Sequence, residues 1–241
     1  MRTTTTTPRE QGFTLVELAI VLVIVGLLIG GILKGQELIG NTRINSVVTQ
    51  VKAISTAINT FQDSYGGFPG DLPNAANRVP NCVAGCSGGT AAVNNLGDGL
   101  LSTGPGAAYV NTNTVANQTE AGMFFNQLVA AQLISGMQVA QNTGTNVAIG
   151  ADALGSPISG TYYRVGYAGA GAAVPASSPV TFQPGHYLAL TNVVAAGTAI
   201  AVNAAGGLTP KQAEGIDRKF DDGTPNGGLA LGIDPTAIPA P

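Results

Sequence analysis

The chain has 241 residues, room for one good-sized domain or at most two, and only 10% of them are charged. Its 34 glycines and 14 prolines recur at no fixed period, which excludes a collagen-like rod or a repeat array. Formal net charge is -3, of which the first twelve residues supply +1 (Arg2 and Arg9 against Glu10) and the remainder -4; no basic cluster follows residue 12, so no specific nucleic-acid partner is indicated.

Residues 1 to 11 are polar and basic overall, with a threonine run from Thr3 to Thr7. Gly12-Phe13-Thr14-Leu15-Val16-Glu17 follows, and then sixteen residues, Leu18 to Leu33, without a polar side chain. A helix over Phe13 to Leu33 would rise about 30 Å, enough to cross the hydrocarbon of a bilayer. An ordinary secretory signal would have a shorter apolar core with a small-x-small cleavage site behind it, and Lys34-Gly35-Gln36-Glu37-Leu38-Ile39 offers none. A plain membrane anchor accounts for the apolar run and leaves Glu17 unexplained. A carboxylate at the head of such a segment is costly without a partner, which makes it a functional candidate.

Gly12-Phe13-Thr14-Leu15-Val16-Glu17-Leu18 resembles the prepilin motif of the type IV pilin and type II secretion pseudopilin family. The resemblance implies that a prepilin peptidase cuts between Gly12 and Phe13 and methylates the new amino group of Phe13. It also implies that Glu17 pairs with the N-terminal ammonium of a neighbouring subunit during assembly. The expected partners are further copies of the chain, related subunits, the peptidase and an inner-membrane assembly platform. Physics points the same way: a new cation at Phe13 and the Glu17 carboxylate are each expensive in an apolar medium and cheaper when matched, within one chain or between two. Arg2 and Arg9 favour a cytoplasmic N-terminus and a periplasmic body. The filament would then lie in the periplasm or at the cell surface.

Beyond Lys34 the helical reading continues. Ile44, Val47, Val51, Ile54, Ile58 and Phe61 step by three and four, and Val48 widens the stripe. The pattern predicts one helix from about Phe13 to Ser64, its first half protruding and its second half the spine of a globular head. Tyr65-Gly66-Gly67-Phe68-Pro69-Gly70 is the stop. Four regions follow: a leader at 1–12, a transmembrane half-helix at 13–35, an amphipathic spine at 36–65 and a head at 66–241. Glycines 26, 30, 31, 35 and 40 permit close helix contact or local bending.

In the head, 66–80 reads as turns and 81–119 as a long insertion. The latter holds the only two cysteines, Cys82 and Cys86, around a three-residue loop. After export they would form a local disulfide that pins a turn; in the cytosol they would be a free pair. Glu120 to Ile134 reads as a helix with Phe124, Leu128, Ala131 and Ile134 on one side and Gly136 as its stop. Tyr162 to Tyr167 and His186 to Leu190 read as strands. The fold class is therefore α+β: a long N-terminal helix packed on a small antiparallel sheet with loop-rich insertions.

Thr209-Pro210 should open a last helix that ends in the turn Asp221-Asp222-Gly223. Asp217, Asp221 and Asp222 are candidate oxygen ligands for calcium, and Arg218 and Lys219 beside them offer alternative partners. Phe68-Pro69-Gly70-Asp71-Leu72-Pro73 and the Asp221-Asp222-Gly223 turn are similar to segments of secretion-type pseudopilins. The expected role is therefore a structural subunit of a type II secretion pseudopilus, with a type IV pilus subunit as the alternative. No catalytic constellation stands out, so no enzymatic activity is expected.

Overall fold

The computed structural model describes residues 12, 14–82, 86, 96–101, 120–138, 150, 153–168, 183–192, 207–224 and 228–229. The α+β class holds, with element order α1 Leu15–Tyr65, α2 Ala75–Arg78, α3 Glu120–Ala130, β1 Tyr162–Ala168, β2 Gly185–Thr191 and α4 Pro210–Phe220. Compact units divide the chain after Thr42: the described residues up to that point form one and those from Arg43 onward the other.

α1 is one helix of 51 residues with no proline inside it. It ends where the glycine pair predicts: the Gly66 amide donates back to the Gln62 carbonyl at 2.8 Å, and the Arg78 guanidinium donates to the Tyr65 carbonyl. A cation at this end also suits the helix dipole. Within the second unit α1 buries Ile44, Val47, Val48, Ile54, Ala57 and Phe61. Val51 and Ile58 are half-buried at the edge of the same stripe.

The exit from α1 is tightly folded. Gly70 has φ +92° and lies so near Leu101 that a Cβ there would approach its Cδ2 to 2.8 Å. A short helix, α2, follows within the stretch expected to be turns only. α3 also departs from expectation. It stops at Ala130 rather than Ile134, and every residue in it except Val129 is buried, so no one side faces the core. The stop is Gln132, which takes φ +59°. The Leu133 amide then reaches the Leu128 carbonyl at 3.0 Å, and the Gln132 amide reaches Val129 at 2.9 Å. These two bonds make a Schellman ending built without glycine.

β1 and β2 pair antiparallel from Tyr162↔Thr191 to Ala168↔Gly185. The far side of β1 is bridged to Gly155, and the Tyr163 amide donates to Leu154 at 2.9 Å. β1 is buried on both faces from Tyr162 to Gly166, Arg164 included. The Arg164 guanidinium lies 5.9 Å from the centre of the Tyr162 ring, a cation–π distance. The core joins Ile54, Phe61, Leu72, Leu101, Phe124, Leu128, Tyr163 and Val165, so spine, exit, α3 and sheet share one apolar interior.

Candidate functional site

Candidate residues fall at three places, the first being the start of α1. Thr14 stands at its N-cap and Glu17 three residues on. The Thr14 amide donates to Glu17 Oε2 at 2.9 Å, and the Thr14 hydroxyl donates to the same oxygen at 2.7 Å. The Glu17 amide is 3.3 Å from Thr14 Oγ1. This is a capping box: each residue satisfies an amide of the other that the first helical turn would otherwise leave open. The carboxylate also stands at the positive end of the helix dipole. Its cost in an apolar medium is thus lowered inside a single chain, before any neighbour is met. Thr14 was missed as a site residue, although Thr14-Leu15-Val16-Glu17 carries the S/T-x-x-E spacing that identifies such a box. Gly12 is exposed, and Phe13 lies outside the described residues.

Behind the box the helix is apolar on all sides and uncovered. The large apolar side chains from Leu15 to Ile39 are between 43% and 87% exposed. The segment is long and apolar enough to cross a membrane. Lys34 and Glu37, paired at 2.7 Å, are the first charged side chains after Glu17. A surface of this kind is stable only in lipid or against other apolar surfaces.

The second place is the region between the exit of α1 and α3. Cys82 and Cys86 are joined in a disulfide with Cα atoms 5.3 Å apart; residues 83–85 of the loop lie outside the described residues. Fully buried Gln127 ties this turn to the exit, accepting from the Gly70 amide at 2.6 Å and donating to the Cys86 carbonyl at 3.1 Å. Buried Asp71 accepts from the amides of Gly97 at 2.5 Å and Gly99 at 2.8 Å. Its carboxylate also comes within 4.8 Å of those of Asp98 and Glu120. Burial pushes the Asp71 pKa up, and the two amides hold it back. His186 stacks on Phe68 with ring centres 4.4 Å apart and accepts from the Leu101 amide at 3.3 Å. The covering lowers its pKa, in line with a ring nitrogen that must stay unprotonated to accept that bond.

The third place is the end of α4. Thr209 caps this helix as predicted, and Gln212 completes the box: its side chain accepts from the Thr209 amide at 2.9 Å. Asp217, Asp221 and Asp222 come together, with carboxylate oxygens within 4.8 Å of one another. The two neighbouring cations have other partners. Arg218 pairs with Glu214 at 2.7 Å, and Lys219 donates to Asn45 on α1.

The prokaryotic N-terminal methylation motif family matches residues 7–33. The chain is also similar to Fimbrial protein Q of Moraxella bovis, 32% identical over 125 residues that cover 49% of this chain and 78% of that protein. No solved structure matches the chain significantly.

Proposed function

This chain belongs to the type IV pilin and pseudopilin family, and on that premise we propose that it is a filament subunit carried in the bacterial inner membrane by α1. The observation that carries the proposal is the start of that helix. An apolar cylinder with no cover of its own is headed by one carboxylate, Glu17, held in a capping box with Thr14. Cleavage between Gly12 and Phe13 would set an ammonium group beside that box. A neighbour's ammonium can then compete for Glu17, so the match between subunits fixes their axial stagger. Copies of this chain and related subunits are the partners, with a prepilin peptidase and an inner-membrane platform acting on them. The head would lie on the periplasmic side, as the leader arginines favour.

Two machines use such a subunit. The Phe68 to Pro73 exit and the Asp221-Asp222-Gly223 turn speak for a secretion pseudopilus. The similarity to a fimbrial protein runs over 125 residues, and therefore mostly outside residues 7–33. It supports a type IV pilus fibre, the reading adopted here.

Deletion of the gene, scored for both surface fibres and exoprotein release, tests the choice. Lost fibres with intact secretion are expected; lost secretion with intact fibres would favour the pseudopilus. Glu17→Ala should leave the chain in the membrane and processed to a Phe13 N-terminus, read by mass spectrometry, while fibre yield falls more than about tenfold. Wild-type fibre yield from Glu17→Ala would refute the assembly role, and a chain that keeps residues 1–12 beside an active peptidase would refute the processing.

A further inference from the structure

A hollow of about 160 Å³ lies between the second half of α1 and β2. Its floor reaches the core at Ile54, Leu101 and Phe124, each 2% exposed or less, while half-buried Val51 and exposed Ser55 and His186 form an open rim. Few polar groups border it, and two of them are engaged. His186 accepts from the Leu101 amide, and the Tyr187 hydroxyl donates to the Gln183 carbonyl at 2.7 Å. Water inside finds few partners, and an apolar cavity of about 150 Å³ is large enough to hold benzene. A branched aliphatic side chain fits the same space.

Its complement stands elsewhere on the head. Among the described residues beyond Ile39, Leu229 is the one large apolar side chain left exposed, at 88%. Its amide donates to Asp221, in the turn after α4. α4 in turn is fastened to the early part of the spine. Lys219 donates to Asn45, and Gly215 packs so close to Ile44 that a Cβ would come within 2.9 Å of its Cδ1. The hollow is centred near Ser55, about 15 Å farther along α1 than Asn45. A knob and a hole on different parts of one surface make a heterologous contact, which propagates as an open helix when the rotation does not close. We propose that Leu229 of one copy seats in this hollow on a second copy. The inference rests on the filament reading above. Copies whose α1 helices share a membrane stand parallel, and two at equal height hold knob and hole about 15 Å out of step. The contact therefore forms when one copy has moved outward by about that distance, with the outer copy supplying Leu229. It belongs to the fibre and not to subunits waiting in the bilayer.

The test is cross-linking in fibres sheared from cells that express the full chain. Leu229→Cys combined with Ser55→Cys and treated with a short bismaleimide should give a ladder that runs past the dimer, because each copy carries both partners. Either single variant should stop at the dimer. Cys82 and Cys86 are joined in a disulfide and take up no maleimide. Leu229→Glu and Ser55→Phe, both at exposed positions, should leave the melting temperature of the head within about 2 °C of wild type. Each should lower fibre yield at least about tenfold, and these yields decide if the double-cysteine chain forms no fibres. Fibres of the double variant with no band beyond the dimer would overturn the proposal. So would wild-type fibre yield from Leu229→Glu, and a loss with Ser55→Phe alone would assign the hollow to another occupant. Glu17→Ala separates the two readings: if it abolishes fibres and Leu229→Glu does not, assembly stands and the docking of Leu229 falls. A wild-type chain that forms no fibres would overturn both.

Discussion

Residues 15–39 and 44–61 belong to the same helix and are both rich in Val, Ile and Leu, yet they solve opposite problems. In the first stretch apolar side chains point in every direction and none is covered. In the second they form one stripe, and that stripe is the floor of the head's core. The arrangement of apolar residues, more than their number, sets what must cover a helix. A single stripe can be met by the chain's own α3 and β1, whereas a cylinder apolar all round needs lipid or other copies.

The sharpest way to break this comparison is to truncate one large side chain in each stretch. Phe61 is fully buried, and Phe61→Ala should cost the head about 3–5 kcal/mol. Leu27 is 74% exposed, and Leu27→Ala should leave head stability unchanged while weakening fibre assembly. All six tyrosines lie beyond residue 64 and there is no Trp, so urea denaturation followed by the tyrosine circular dichroism bands reports on the head alone. Equal losses for the two variants would refute the division.

The capping boxes offer a second, smaller contrast. Thr209→Ala removes the box of α4 and should lower head stability by about 1 kcal/mol in the same assay. Thr14→Ala removes the matching box of α1. It should leave the head untouched and reduce fibre yield, because Glu17 loses the hydroxyl bond and is held at the helix start by the residue 14 amide alone.

The smallest expected effect is a pH dependence confined to the head. His186 is held below its ordinary value of 6.5, so the unfolded chain takes up its proton first as the pH falls. Its contribution is complete above 6.5 and is lost as the pH drops through the window between 6.5 and the folded value. Asp71 works in the opposite sense and lower down. Its raised pKa contributes stability that is full below 3.8 and disappears as the pH rises through the folded value. Between about pH 7.5 and 5.5 the melting temperature should therefore fall slightly, and His186→Gln should flatten that slope. Part of the ring reaches solvent, which keeps the effect small.

What the sequence alone determined was whatever depends on neighbours along the chain. The methylation motif, the length and stop of α1, the cap of α4 at Thr209-Pro210 and the Cys82–Cys86 turn all rest on contacts a few residues apart, and the two strands show as local patterns although they pair with each other over a longer separation. Periodicity, glycine pairs and cap spacing record such contacts directly. Only the tertiary structure decided the roles of the polar residues inside the head. Gln127 reads in sequence as an ordinary helix residue, but it joins Gly70, 57 positions away, to Cys86, 41 positions away. Asp71 looks like a turn residue and braces the amides of Gly97 and Gly99. The early end of α3 depends on Gln132 accepting a left-handed conformation that its side chain does not favour, because the two Schellman hydrogen bonds and the packing around it compensate. A buried polar group is defined by the partners that desolvate and satisfy it. Those partners arrive from distant parts of the chain, so no local pattern records them.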